Sequence, residues 1–118
     1  MTEAAKIFGE QLRRLREAKG IGLRELAERI PISHTALDRY ELGHRLPSDV
    51  IMRSIARALD VPYDELREML FEAQAQSLLR ANPNLSSRSR EQIMQFIRFA
   101  REQDRKAKEA QRREGQGP

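Results

Sequence analysis

Residues 23–43 read LRELAERIPISHTALDRYELG, and this stretch carries the strongest structural signal in the chain. Its first part predicts a helix over about residues 23–30, because apolar side chains recur there at helical spacing. Pro31 ends that helix, since the proline ring disfavours helical geometry at the residue before it. Ser33 is then the predicted N-cap of a helix over about residues 34–42. The stretch thus predicts two short helices joined by a tight turn.

The second helix of this pair has one apolar and one polar face. Leu37 and Tyr40 lie on the inward face, and the small Ala27 of the preceding helix suits a close helix crossing. The side chains left facing outward are His34, Thr35, Asp38 and Arg39. Two short helices of this kind are typical of the helix-turn-helix motif, in which the second helix enters the major groove and reads base edges.

Helices are also predicted for the rest of the chain, because helix-favouring residues dominate and no segment alternates with period two. They span about residues 4–19, 49–59 and 63–80. A last helix starts at Ser86 or Ser87, after an Asn-Pro-Asn turn. We therefore predict an all-α fold with five helices in a first domain and one additional C-terminal helix.

The predicted domain boundary follows from these elements. Residues 1–72 form the first domain, and residues 73–118 form a helical extension that ends in a basic tail. The last four residues, Gly-Gln-Gly-Pro, are expected to fray. Because the extension is too small to hold a core of its own, we expect it to serve in dimerisation or in binding a protein partner.

The charge of the chain is unevenly distributed. The net charge is +4, from 22 basic and 18 acidic residues. Residues 1–70 hold twelve of each sign, so the excess comes from residues 71–118. A nucleic-acid surface in the first 70 residues must therefore be made by local arrangement rather than by bulk charge.

Composition excludes several classes of protein. The chain has no cysteine and two histidines, which removes disulfides and thiolate sites and leaves little material for metal or Ser-His chemistry. No apolar run approaches the roughly 20 residues that span a bilayer, and no signal peptide is recognisable. We expect a cytoplasmic, non-enzymatic protein that uses no metal or cofactor.

Ordered motifs over about residues 6–70 add to the two-helix signal. They are LRRLREAKG at residues 12–20, LRELA at residues 23–27, the stretch from Ser33 to Gly43, Pro47-Ser48, and ALDVP at residues 58–62 followed by Leu66. In this order and spacing they resemble the XRE/Cro-type, lambda-repressor-like DNA-binding family. The resemblance implies a sequence-specific DNA-binding transcriptional regulator, most commonly a repressor, with double-stranded DNA as its partner.

The resemblance also implies roles for individual residues. The positions that read bases in this family are His34, Thr35, Asp38 and Arg39 here. The positions implied for phosphate contacts are Lys19, Arg24, His44 and Arg45. Arg16 and Glu41 match a family pair that links the first helix to the end of the third through an ion pair. Two positions depart from the family pattern, with Leu23 replacing a common glutamine and Pro31 replacing a common glycine.

Some of these residues have competing interpretations. Arg39 could bind a guanine through two hydrogen bonds, or simply belong to a solvated face. Asp38 could accept a hydrogen bond from cytosine, or hold neighbouring arginines in place. Lys19 and His44 could equally be exposed loop residues without a partner.

The C-terminal extension carries an apolar group whose members are Ile93, Phe96, Ile97 and Ala100. These side chains could pack on the fifth helix through Leu78 and Leu79, or on the same segment of a second chain. We expect the second arrangement, a homodimer. The segment from residue 84 to 93 is also similar to tails of repressors that a metallopeptidase inactivates. An antitoxin or peptidase-controlled repressor, with a toxin or regulatory peptidase as partner, is therefore the alternative.

Overall fold

The computed structural model describes residues 2–115, which form six helices and no strand. The helices are α1 (Glu3–Ala18), α2 (Leu23–Arg29), α3 (His34–Glu41), α4 (Asp49–Leu59), α5 (Tyr63–Arg80) and α6 (Ser87–Gly115). The predicted all-α class and the additional C-terminal helix are confirmed. Of the four residues expected to fray, Gly115 is the last residue of α6, and 116–118 lie outside the described range. No helix between residues 2 and 115 is long and apolar enough to cross a membrane.

The chain divides into two compact units, one ending at Leu78 and the other beginning at Leu79. This boundary lies inside α5 and later than the expected boundary after residue 72. The physical reason is Ala73, which is fully buried and belongs to the core of the first unit. The role of the second part in dimerisation or partner binding stays a prediction.

Serine caps start three of the helices. The Ser33 and Ser48 hydroxyls accept hydrogen bonds from the amides of Ala36 (3.1 Å) and Ile51 (3.3 Å), at the starts of α3 and α4. Ser86 caps α6 in the same way, which resolves the choice between Ser86 and Ser87. Each cap satisfies an amide that has no partner within its helix, so the serines fix where these helices begin.

The turn between α2 and α3 accommodates proline without a positive φ. The amide of Ile32 donates to the carbonyl of Ile30 at 2.6 Å, which closes a three-residue turn centred on Pro31. Ile30 itself is extended, with φ −118° and ψ 139°. An inverse γ-turn needs a central φ near −75°, which the proline ring supplies. The connection between α2 and α3 is therefore an inverse γ-turn, which a proline at its centre favours.

One core holds the first unit together. Its buried members are Phe8, Leu12, Leu26, Ala27, Ile30, Leu37, Tyr40, Met52, Ile55, Ala56, Leu59, Leu66 and Ala73. In α4, Met52 is buried, whereas the neighbouring Ile51 is only partly buried. Met52, Ile55 and Leu59 are spaced by three and four residues and form the stripe that faces the core.

The first and third helices approach each other closely at Gly9. A Cβ atom at this position would lie within 2.6 Å of the Glu41 carbonyl oxygen and closer still to that of Tyr40. Gly43 has φ +81°, and a Cβ there would lie 2.5 Å from the Cα of Lys6. Glycine at both positions therefore allows the backbones of α1 and the end of α3 to meet.

A buried ion pair joins the same two helices. Arg16 donates from Nε to Oε2 of Glu41 at 2.7 Å and from Nη2 to Oε1 at 2.9 Å. Its Nη1 donates to the carbonyl of Ile21 at 2.9 Å. The hydrogen bond to Glu41 raises the pKa of Arg16 above its ordinary value. Because both residues are at least 92% buried, solvent has little access with which to replace a lost partner.

Breaking the Arg16–Glu41 pair should destabilise the fold strongly. Arg16→Met or Glu41→Gln leaves a group buried without its partner, so each should lower the free energy of unfolding by about 3 kcal/mol. The double variant should cost less than the sum of the two, as measured by urea unfolding. The exposed Arg13–Glu17 pair is the control, and Glu17→Gln should cost less than about 0.5 kcal/mol. Strictly additive costs would mean that Arg16 and Glu41 do not interact.

Gly9→Ala should destabilise the first unit although alanine is the better helix former. The added methyl group meets backbone atoms of α3 that cannot move aside, so we expect a net loss of about 2 kcal/mol. Gly22→Ala is the matched control, because nothing lies within 4 Å of its Cβ position. Equal thermal unfolding midpoints for the two variants would contradict the close approach.

Candidate nucleic-acid interface

The outer face of α3 carries most of the residues expected to read bases. His34, Thr35 and Arg39 are exposed, whereas Asp38 is half-buried. Asp38 forms no ion pair among residues 2–115, so no arginine is held in place by it there. The inward side of the helix is occupied by Leu37 and Tyr40, both buried. Three of the four side chains are thus free to reach a ligand, and the fourth is partly enclosed.

Within the part of the chain that the structure describes, some cations of the first unit are paired with carboxylates and others are not, and the unpaired ones include Lys6 on α1 and Arg57 on α4. On the outer faces of α1, α2 and α4, four arginines form pairs with carboxylates four residues away, namely Arg13–Glu17, Arg14–Glu10, Arg29–Glu25 and Arg53–Asp49. By contrast, the exposed side chains of Lys19, Arg24 and Arg39 make no ion pair or hydrogen bond within the described residues. These three charges are therefore available to an anionic ligand.

A shallow hollow between α2 and α3 is lined by Arg24, Ala27, Glu28, Ile32 and His34. It brings a residue expected to contact phosphate, Arg24, to the same place as His34, which is expected to read bases. Glu28 and Ile32 were not assigned to the site. The spacing of Glu28, four residues after Arg24, could have indicated it, because such residues share one face of a helix.

The segment after α3 places the remaining two expected phosphate contacts on the surface. His44 and Arg45 are both exposed. The backbone amide of His44 donates to the carbonyl of Arg39 at 2.9 Å, so this segment is held against the end of α3. The guanidinium carbon of Arg45 lies 5.8 Å from the centre of the Tyr40 ring. At this distance a cation–π contact orients Arg45 without using its hydrogen-bond donors.

The four expected dimer residues of α6 do not share one environment. Ile93, Ile97 and Ala100 are half-buried, whereas Phe96 is 70% exposed. Phe99, next to this group, is also exposed, at 61%. Phe96 is therefore exposed, unlike the three residues with which the sequence pattern grouped it.

Comparison with known proteins identifies the family to which the first unit belongs. Residues 7–69, more than half of the chain, match the family model described as a helix-turn-helix domain. The transcriptional repressor RghR of Bacillus subtilis is 38% identical over 60 residues, which cover 50% of this chain and 44% of RghR. The uncharacterized transcriptional regulator YazB of the same organism is 37% identical over 62 residues, covering 52% and 90% of the two chains.

Two further relatives broaden this group. The transcriptional activator BcrR of Enterococcus faecalis is 34% identical over 59 residues, which cover 50% of this chain and 29% of BcrR. The crystal structure of the clp gene regulator ClgR from C. glutamicum superposes with a TM-score of 0.53 and 29% identity. That superposition covers 58% of this chain and 88% of ClgR. The family match includes α2, α3 and their turn, and the chain belongs to the XRE-like helix-turn-helix family of transcriptional regulators.

Proposed function

We propose that this protein is a sequence-specific DNA-binding transcriptional repressor that reads the major groove with α3. The observation that carries the proposal is Arg39, an exposed arginine on the outer face of α3 whose side chain has no intramolecular partner among the described residues. His34 and Thr35 extend the same polar face to the start of the helix. The name of RghR, a repressor, favours repression, although BcrR is named an activator.

The dimensions and chemistry of α3 suit a groove. Eight residues span about 12 Å, and the major groove is about 12 Å wide. The guanidinium of Arg39 can donate two parallel hydrogen bonds to O6 and N7 of guanine. Asp38 can accept from the exocyclic amine of cytosine, and its half-buried position restricts it to a base that approaches closely. His34 and Thr35, the first two residues of α3, can contact base edges where the N-terminus of the helix enters the groove.

Cations around α3 supply the attraction to the DNA backbone. We assign phosphate contacts to Lys19, Arg24, His44 and Arg45, all of which are exposed. Such contacts orient the protein without reading sequence and make binding depend on salt. Lys19 and Arg24 have no competing carboxylate partner in the described part of the chain, so little is lost when they bind a phosphate.

We also propose that the protein acts as a homodimer through α6. A single module of this kind touches few base pairs and discriminates poorly among genomic sites. Two copies around a two-fold axis read half-sites about one helical turn, roughly 34 Å, apart. The exposed Phe96 and Phe99 supply apolar surface for such a contact.

Arg39→Ala tests base reading by α3. Duplexes bound by the protein are first selected from a random DNA pool. On the selected site the variant should lose about 1–3 kcal/mol of binding free energy and its preference at one base position. Arg24→Ala is the control, since a lost phosphate contact should weaken all sequences alike and reduce the salt dependence by about one ion per subunit. Uniform weakening by Arg39→Ala would contradict base reading.

The dimer is tested by sedimentation and footprinting. The full-length chain should be a dimer at micromolar concentration and protect two half-sites. A chain ended after Arg80, which keeps the first unit whole, should be a monomer that binds the same site far more weakly. A monomeric full-length protein would contradict dimerisation through α6 and favour a different protein as the partner of that helix.

A further inference from the structure

Between residues 89 and 110, one face of α6 carries no charge although the helix is highly charged. Ten of the fifteen residues 101–115 are Asp, Glu, Lys or Arg. Yet six uncharged residues recur along the helix at spacings of three and four, and we call them the α6 stripe: Gln92, Phe96, Phe99, Gln103, Ala107 and Ala110. At about 100° per residue they fall within an arc of about 80°. An uncharged seam of this kind is what a helix presents to another helix.

The whole α6 stripe is exposed. All six side chains are open to solvent, with Phe96 at 70% and Phe99 at 61%. Met94 is 3% exposed and Ile97 is half-buried, and both lie at least about 80° around the helix from the stripe. The half-buried Ala100 and Ile93 lie about 20° and 40° beyond Ala107, so the stripe adjoins the covered side of α6 while its own side chains stay exposed.

We propose that the α6 stripe binds the α6 stripe of a second copy with the two helices antiparallel. The inference rests on the proposed homodimer and specifies its surface and its geometry. With a two-fold axis between residues 99 and 100, residue numbers that face each other sum to 199, so four of the six stripe residues face one another. Phe96 meets Gln103 of the second copy and Gln92 meets Ala107. Phe99 meets the half-buried Ala100, and Ala110 meets Ser89, both of which border the stripe.

Side-chain size distinguishes this arrangement from a parallel one. In a parallel pair, Phe96 and Phe99 would face their own copies at one end and hold the helices apart. Ala107 and Ala110 would face their own copies at the other end, where methyl groups cannot fill the same gap. The antiparallel register places a long side chain opposite a shorter one in the Gln92–Ala107 layer. Both ends of the pair then have the same packing.

The area available is close to what a specific dimer needs. A phenylalanine can bury about 150–250 Å², so the exposed parts of four phenylalanines supply roughly 500 Å². Glutamine and alanine side chains along about 33 Å of helix bring the total to the order of 1,000 Å². That value is near the lower bound of about 1,000 Å² for specific interfaces.

Disulfide trapping tests the geometry in the full-length protein, which has no native cysteine. Gln92→Cys and Ala107→Cys chains are oxidised singly and as a mixture, and the products are identified by mass. The antiparallel register predicts a mixed disulfide that joins one Gln92→Cys chain to one Ala107→Cys chain, and little disulfide between identical chains. A parallel pair predicts the opposite, because positions 92 and 107 are then about 22 Å apart, beyond the roughly 7 Å that a disulfide spans.

A matched pair of variants tests the surface without cysteines. Gln103→Glu places a carboxylate against Phe96 of the second copy and should weaken the dimer about tenfold or more in sedimentation. Gln95→Glu makes the same change on the same helix outside the stripe, where solvent remains, and should have an effect below about threefold. Equal effects of the two changes would overturn the assignment of this surface.

The remaining outcomes separate this inference from the proposed function. Homodimeric disulfides of each single variant would overturn the antiparallel geometry, and a dimer with no disulfide in any mixture would overturn the α6 stripe as its surface. In both cases the proposed homodimer stands. A protein that sediments as a monomer overturns the inference together with the homodimer. DNA reading by α3 is judged independently through Arg39.

Discussion

The orientation of α3 depends on the contact that its last turn makes with α1. A helix of eight residues is too short to be stable in water by itself, so its position must come from tertiary contacts. Gly9 lets the backbone of α1 approach the carbonyls at the end of α3, and the Arg16–Glu41 pair fixes the two helices at that distance. Ser33 caps the other end. With both ends and the inward face held, the outer face of α3 keeps one orientation.

Charge in the first unit is arranged by local pairing. Exposed pairs such as Arg13–Glu17 and Arg53–Asp49 each add little to stability, about 0.3–0.5 kcal/mol. Their larger effect is electrostatic, because a paired arginine contributes little to the field at a distance. Lys19, Arg24 and Arg39 are not neutralised in this way within the described residues. The first unit, in which acidic and basic residues nearly balance, therefore keeps cations that are unpaired among residues 2–115 on α3 and on neighbouring segments.

Much of this arrangement could be predicted from local sequence rules. The hydrogen bonds of Ser33 and Ser48 and the backbone restriction at Pro31 involve only residues close by in the sequence. The starts of α3 and α4 and the turn before α3 therefore follow from these three residues. Features that depend on tertiary packing could not be predicted. The half-burial of Asp38 depends on what surrounds α3. Asp60, at the end of α4, adopts the left-handed conformation (φ 56°), which a glycine would have indicated in the sequence but an aspartate does not. In α6, the helical spacing placed Phe96 and Ile97 in one apolar group. The spacing does not show which of two adjoining helix faces is buried by the rest of the chain.

The match to the family ends before α6 begins, and this bears on what the helix contributes. The matched segment accounts for 90% of YazB, so in that relative the helix-turn-helix domain is nearly the whole protein. The sequence that this chain adds includes a helix of 29 residues with the uncharged α6 stripe along it. The reading face of α3 selects bases within one half-site, whereas a pairing helix sets the distance and direction between two half-sites. If the stripe pairs as proposed, chains with nearly the same α3 could select different operators through α6 alone.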